Sequence, residues 1–235
     1  MHLSQLRSEG SSLQGVLRGT GEQNQVGKLD HGGFYCIGRA VQLGGAVGIR
    51  TNGRQEVEVI KKLTGLPVIG IHKVTNEAGE LAITPSFSLA EDLVQAGADI
   101  VAVDVRQTRP FGEPLAELLP RIRRELGVPV MADCATMEDA RAALAIGVDL
   151  IASTFGFRQN ELGTEPDFEL LEGLLQLGAP VIAEGGFWYP EQVVKALEMG
   201  VWSVVVGSAI TRPLEITKRF VRALGQAGTA QRNAV

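Results

Sequence analysis

The apolar residues fall in short runs that return in the same frame. Gly65-Leu66-Pro67-Val68-Ile69-Gly70, Gly127-Val128-Pro129-Val130-Met131-Ala132 and Gly178-Ala179-Pro180-Val181-Ile182-Ala183 all read Gly-x-Pro-Val-apolar-small. A second frame, a glycine before a short apolar run, recurs at Gly45-Ala46-Val47-Gly48-Ile49, Gly97-Ala98-Asp99-Ile100-Val101, Gly147-Val148-Asp149-Leu150-Ile151 and Gly200-Val201-Trp202-Ser203-Val204. The two frames alternate, with copies of either about 50 to 60 residues apart, the length of two βα units. Each reads as a glycine that stops a helix, followed by a buried strand.

Eight strands are predicted on this pattern: near 13–18, then 46–50, 67–73, 100–104, a run ending at 131–133, and 150–154, 181–184 and 204–207. Helical patterns separate them. Phe34, Ile37 and Val41 share one face of the first, and Gly44-Gly45 stops it. Thr136 opens a later helix with Glu138 and Asp139 in its first turn, which suits the helix dipole. Pro190 and Pro213 mark first helical positions. Asn76-Glu77-Ala78-Gly79 is turn chemistry, so 81–84 is predicted as a hairpin-like excursion, and 156–166 as a long polar loop. Residues 13–224 form one domain, with tails at 1–12 and 225–235. Unbroken βα alternation allows a closed barrel or an open doubly wound sheet. Gly19-Thr20-Gly21-Glu22 lacks the remaining glycine of a dinucleotide turn, so the closed barrel is the better reading.

Composition narrows the picture further. A chain of 235 residues with 45% hydrophobic content can fill one α/β barrel. A net charge of −5 argues against a nucleic-acid or anionic-membrane surface. Cys36 and Cys134 stand in no metal spacing and read as reduced thiols. With no membrane-length apolar run and no signal-peptide core, a cytoplasmic protein is expected.

Active sites of such barrels lie at the carboxyl ends of the strands. Those positions hold Arg50, Lys73, Asp104, Asp133, Thr154 and Glu184, on strands that are otherwise apolar. Gly185-Gly186 and Gly207-Ser208 follow the last two strands. Their backbone N–H groups can approach an anion, and phosphate sites recur in these two loops. Arg212 stands just beyond as a candidate clamp.

Lys73 with Glu184 and Asp133 points to proton transfer. A lysine serves as a base only when burial or a nearby cation such as Arg50 brings its pKa toward neutrality. The same lysine could instead form a Schiff base with a carbonyl substrate, and spacing does not separate these routes. Among the three histidines, His72 alternates with Lys73 and is read as facing the helices. No paired histidine and carboxylate spacing supports a metal.

The chain also resembles the N-acetylmannosamine-6-phosphate 2-epimerases. The resemblance rests on residues 44–53, 67–73, 83–85, 131–133, 166–171, 181–185 and 204–213, and covers about 44–224 in order. It implies a single (β/α)8 TIM barrel of the ribulose-phosphate-binding type and a cofactor-independent inversion at C2. Lys73 would remove and return the C2 proton, and Glu184 would act as a second acid/base. Arg50 and Asp133 would hold sugar oxygens and the N-acetyl group, with Thr154 and Arg18 also lining the substrate site. Gly185, Gly186, Gly207, Ser208 and Arg212 would hold the phosphate. The product would be N-acetylglucosamine 6-phosphate, in sialic-acid and amino-sugar breakdown, and the protein a homodimer.

Four segments depart from the family pattern. Leu17-Arg18-Gly19-Thr20 stands where the family has Ser-Cys-Gln, and Asp104-Val105-Arg106 replaces Asp-Ala-Thr. Phe155-Gly156-Phe157-Arg158 replaces Ser-Gly-Tyr-Thr, and Gly186 takes the place of a basic residue. Three readings therefore stand: the epimerase, a related barrel acting on another sugar phosphate (for example a Schiff-base lyase or aldolase), and a phosphosugar-binding barrel without turnover.

Overall fold

The repeated frames become strands because their apolar runs, such as Val68–Ile71 and Val181–Glu184, are buried along their whole length. The computed structural model describes residues 16–18, 31–160 and 163–232. Its elements are β1 (Val16–Arg18), α1 (His31–Leu43), β2 (Gly48–Asn52), α2 (Arg54–Thr64), β3 (Val68–Ile71), β4 (Lys73–Thr75), β5 (Leu81–Ile83) and α3 (Phe87–Gln95). β6 (Ile100–Asp104) and α4 (Leu115–Arg121) follow, the latter running into a π-helical turn (Ile122–Leu126). Then come β7 (Val130–Asp133), α5 (Met137–Ile146), β8 (Leu150–Ala152), β9 (Phe157–Asn160), β10 (Gly163–Pro166) and α6 (Phe168–Leu175). The chain continues through β11 (Val181–Glu184), α7 (Pro190–Met199), β12 (Ser203–Val206), α8 (Ser208–Thr211) and α9 (Pro213–Arg232).

Eight of the strands pair in the order β1-β12-β11-β8-β7-β6-β3-β2, and β1 also pairs with β2, which closes the barrel. Neighbouring strands are parallel, as right-handed βα crossovers require. Thr136 caps α5 through a capping box with Asp139, and Pro190 and Pro213 each open a helix.

Alternation along each strand makes two cores. Outward residues such as Val68, Val101, Val103, Val130 and Val204 pack beneath the helices. Inward residues such as Ile69, Ile71, Ala102, Met131 and Ile182 fill the barrel itself.

The structure adds detail where the apolar pattern is weak. The excursion after β3 is an antiparallel hairpin in which Lys73 opposes Ile83. The segment predicted as a polar loop is also a hairpin, with Phe157 opposite Pro166 and Thr164 opposite Gln159. Its strands are held by pairing rather than by a buried face, so they leave no period-2 apolar signal. β8 ends at Ala152, although the Ser153 N–H still donates to the Ile182 carbonyl at 3.2 Å, and α9 remains helical past position 225. Residues 13–15 of the expected first strand and the Gly19-Thr20-Gly21 segment lie outside the described residues. No helix among the described residues is long and apolar enough to cross a membrane.

Candidate active site

Strand parity gathers the polar strand ends on one surface. Along β3, Ile69 and Ile71 point into the barrel by period-2 alternation, and Lys73 stands two residues on, where the β4–β5 hairpin begins. By the same count Asp104 follows Ala102, Asp133 follows Met131, Thr154 follows Ala152 and Glu184 follows Ile182. The apolar interior thus ends in a polar layer at the carboxyl mouth.

At its centre is a closed ionic cluster. The guanidinium of Arg50 donates to both carboxylate oxygens of Asp133, at 2.9 and 2.6 Å. The same Nη1 lies 2.8 Å from Oε2 of Glu184. Thr154 Oγ1 donates to Asp133 at 2.5 Å and lies 3.5 Å from Glu184 Oε2. Arg50 and Asp133 are 0% exposed and Glu184 2%. Burial works against the Arg50 charge, yet Asp133 and Glu184 hold the guanidinium above its ordinary pKa. Arg50 is therefore a fixed cation. Arg50 and Asp133, expected to hold sugar oxygens, pair with each other here, and the buried Nε of Arg50 makes no hydrogen bond. The bidentate fork locks the position of Glu184.

Glu184 is also fixed through its backbone. Its N–H donates to Ser153 Oγ at 3.0 Å, and that hydroxyl donates back to the Glu184 carbonyl at 2.9 Å.

Lys73 opens β4, where the chain leaves the barrel. Its N–H donates to Asn52 Oδ1 at 2.7 Å. Next to it, the His72 N–H donates to Thr84 Oγ1, which donates onward to the Ala102 carbonyl at 2.7 Å. Thr84 adopts φ 50°, a conformation costly for a β-branched residue, and so pins the hairpin to the barrel. His72 feels Asp92 of α3 and lies half-buried, with burial lowering its pKa, consistent with a side chain turned to the helices.

Beside the ionic cluster opens a small cleft. Among its lining residues are Glu184, Gly185, Gly186, Gly207 and Ser208, so the structure brings the expected phosphate loops together. Thr164 and Trp188 complete its wall. Gly186 has φ 77°, and a Cβ there would lie 2.3 Å from the Glu165 carbonyl carbon. The passage of β10 over this loop leaves no room for the basic side chain that the family pattern carries at this position. Arg212 follows α8 and is not among the cleft residues; its charge lies near Glu215. Arg18 stands in register with Arg50 at the end of β1, and its side chain lies outside the described residues.

Asp104 does not join the cluster. It is claimed by Arg106, whose Nε and Nη2 donate to its two oxygens and whose guanidinium stacks 4.0 Å from the centroid of Phe155. Cys134 is buried, and burial raises its thiol pKa, which suits packing rather than nucleophilic chemistry. Asn52, Thr84, Ser153, Thr164 and Trp188 were not singled out by the sequence reading. Asn52 and Thr84 sit inside the matched segments, which is the signal that pointed toward them; Thr164 lies in the polar loop, which carried none.

The chain matches the family model described as "Putative N-acetylmannosamine-6-phosphate epimerase" over residues 35–226. A Caldanaerobacter subterraneus subsp. tengcongensis protein described as "Putative N-acetylmannosamine-6-phosphate 2-epimerase" is 44% identical over 79% of this chain and 80% of its own length. A Clostridioides difficile protein of the same description is 44% identical over 80% of this chain and 86% of its own. The solved N-acetylmannosamine-6-phosphate 2-epimerase from Clostridium perfringens superposes with a TM-score of 0.77 at 33% identity, covering 88% of this chain and 92% of that one. This parallel barrel, with its locked carboxylate beside a glycine-lined cleft, belongs to the N-acetylmannosamine-6-phosphate 2-epimerase family.

Proposed function

We propose that this isomerase inverts C2 of N-acetylmannosamine 6-phosphate to give N-acetylglucosamine 6-phosphate, in the breakdown of sialic acids and amino sugars. The observation that carries the reading is the double position of Glu184, which belongs to the buried Arg50–Asp133 cluster and also lines the cleft of Gly185, Gly186, Gly207 and Ser208. A phosphate seated against those backbone N–H groups places the rest of a short sugar within reach of the polar layer.

In this scheme the cleft binds the phosphate and the ring opens. Lys73, as the neutral amine, takes the proton from C2, and the electron pair passes into the adjacent carbonyl as an enolate. The enolate then turns to present its other face to the same ammonium, which returns a proton there, so C2 is inverted and no atom is gained or lost. Glu184 serves as the second acid/base, at the ring or carbonyl oxygen. Arg50, Asp133 and Thr154 hold that carboxylate still, which removes a reorganisation cost from the transition state. Arg18 and Arg212 are proposed to approach the substrate from the rim.

The protein is further proposed to act as a cytoplasmic homodimer. The free thiols Cys36 and Cys134 fit a reducing compartment. Phe220, Val221 and Leu224 leave apolar surface exposed on α9, which a second copy would cover. Sedimentation at micromolar concentration that finds only monomer would remove the dimer.

Proton NMR with N-acetylmannosamine 6-phosphate in D2O tests the chemistry. Loss of the C2 proton together with appearance of the gluco epimer is expected. Lys73→Ala should abolish that exchange while ligand binding persists, and turnover by that variant would sink the assignment. Borohydride with substrate should trap no adduct; a trapped Lys73 adduct would establish the Schiff-base route instead.

A further inference from the structure

The β9–β10 hairpin arches over the cleft. Its residue Thr164 is part of the cleft wall, and β10 passes directly above Gly186. The root of the hairpin is tied to the start of α6, where Arg158 pairs with Asp167 at 3.0 Å and Glu169 at 2.6 Å. Those ties hold β9, and β10 is held by its pairing with β9 and by further contacts on its outer side.

Those contacts come from two side chains. Trp188, in the loop after β11, donates Nε1–H to Thr164 Oγ1 at 3.2 Å. Arg219, on α9 and 55 residues beyond Thr164, donates Nη2–H to the Thr164 carbonyl at 2.9 Å. The same guanidinium lies 4.0 Å from the centroid of Trp188 and donates Nη1–H to the Tyr189 hydroxyl at 3.3 Å. It therefore stacks on one wall residue while gripping the backbone of the facing one. A planar fork performs both tasks at once, which an ammonium cannot.

We propose that the hairpin is the outer wall of the phosphate cleft and that Arg219 is the positioning residue that holds Trp188 and Thr164 at the width an anion needs. This rests on the phosphate reading of the cleft given above. Arg219 touches no reacting atom. Its loss loosens the grip on the phosphate and leaves the proton-transfer step as it was, because Glu184 is locked separately by Arg50 and Ser153.

The test separates these effects. Trp188 and Trp202 are the two tryptophans of the chain, so in a Trp202→Phe background the emission reports the cleft wall. Titration with inorganic phosphate should change that emission. Arg219→Ala should raise both the phosphate Kd and the substrate KM about tenfold, with kcat within about twofold, the loss expected of one charged hydrogen bond and one stack. Arg219→Lys should recover only part of the affinity. Thr164→Val, which removes the Trp188 acceptor but leaves the backbone grip, should shift Kd and KM in the same direction. Unchanged Kd and KM in Arg219→Ala, with or without a fall in Tm, would overturn the proposal, as would a collapse of kcat at constant KM. If Arg219→Ala does not fold, unchanged constants in Thr164→Val together with full affinity in Arg219→Lys overturn it as well. A parent protein that neither binds phosphate nor turns over refutes the underlying reading, whereas an active parent with an indifferent Arg219→Ala refutes this inference alone.

Discussion

Replacing Arg50 by Met should be among the most damaging single changes to this barrel, and the reason is electrostatic rather than steric. Met keeps an unbranched stem of similar reach, so little volume is lost. What disappears is the cation that bridges Asp133 and Glu184, and those carboxylates are 0% and 2% exposed. Breaking a buried ion pair from one side costs about 3–5 kcal/mol, because the remaining charge stays buried without its counter-ion. For a chain of this length that corresponds to a fall in Tm of about 6–20 °C. Asp133→Asn should cost less, about 1–3 kcal/mol, since Arg50 keeps Glu184. The decisive measurement is a double-mutant cycle by urea unfolding at neutral pH. Arg50→Met combined with Asp133→Asn should be less destabilised than the sum of the single changes by about 2 kcal/mol or more. A cost for Arg50→Met below about 1 kcal/mol, or strict additivity, would show that the cluster does not hold Glu184 in the way described.

Two further outcomes are expected. Gly186→Ala forces φ 77° on an L side chain and drives its Cβ to 2.3 Å from backbone at Glu165, so it should destabilise by about 2 kcal/mol or more and raise KM; a neutral Ala variant would mean that β10 does not pass over this loop. His72 has its pKa lowered from 6.5 by burial, with Asp92 opposing, so the unfolded chain binds more protons just below that value. Its contribution to stability is full above about pH 6.5 and declines as pH falls toward the lower folded value. His72→Gln should flatten this part of the urea-midpoint profile between pH 7.5 and 5.5, and an unchanged profile would place the titrating group elsewhere.

The sequence by itself determined the barrel and the location of its site. Helix-stopping glycines and doubly apolar strands leave a chain no arrangement except buried parallel strands beneath helices, and Val68, Val103 and Val130 all took the outer core this demands. Period-2 alternation then dictated that Asp133, Thr154 and Glu184 share the interior face, since their parity follows from Met131, Ala152 and Ile182. Local capping was equally legible, as at Thr136 and Pro190. What only the tertiary structure decided is who partners whom. Arg50 and Asp133 are 83 residues apart, and their mutual occupation depends on barrel register, a long-range property no local window contains. The same holds for the wall of the cleft. A polar segment with no apolar period pairs as a hairpin, and Trp188 and Arg219, distant in the chain, fix where it lies through hydrogen bonds to Thr164. Hydrophobic burial is written in periodicity; polar pairing is set by distance in space.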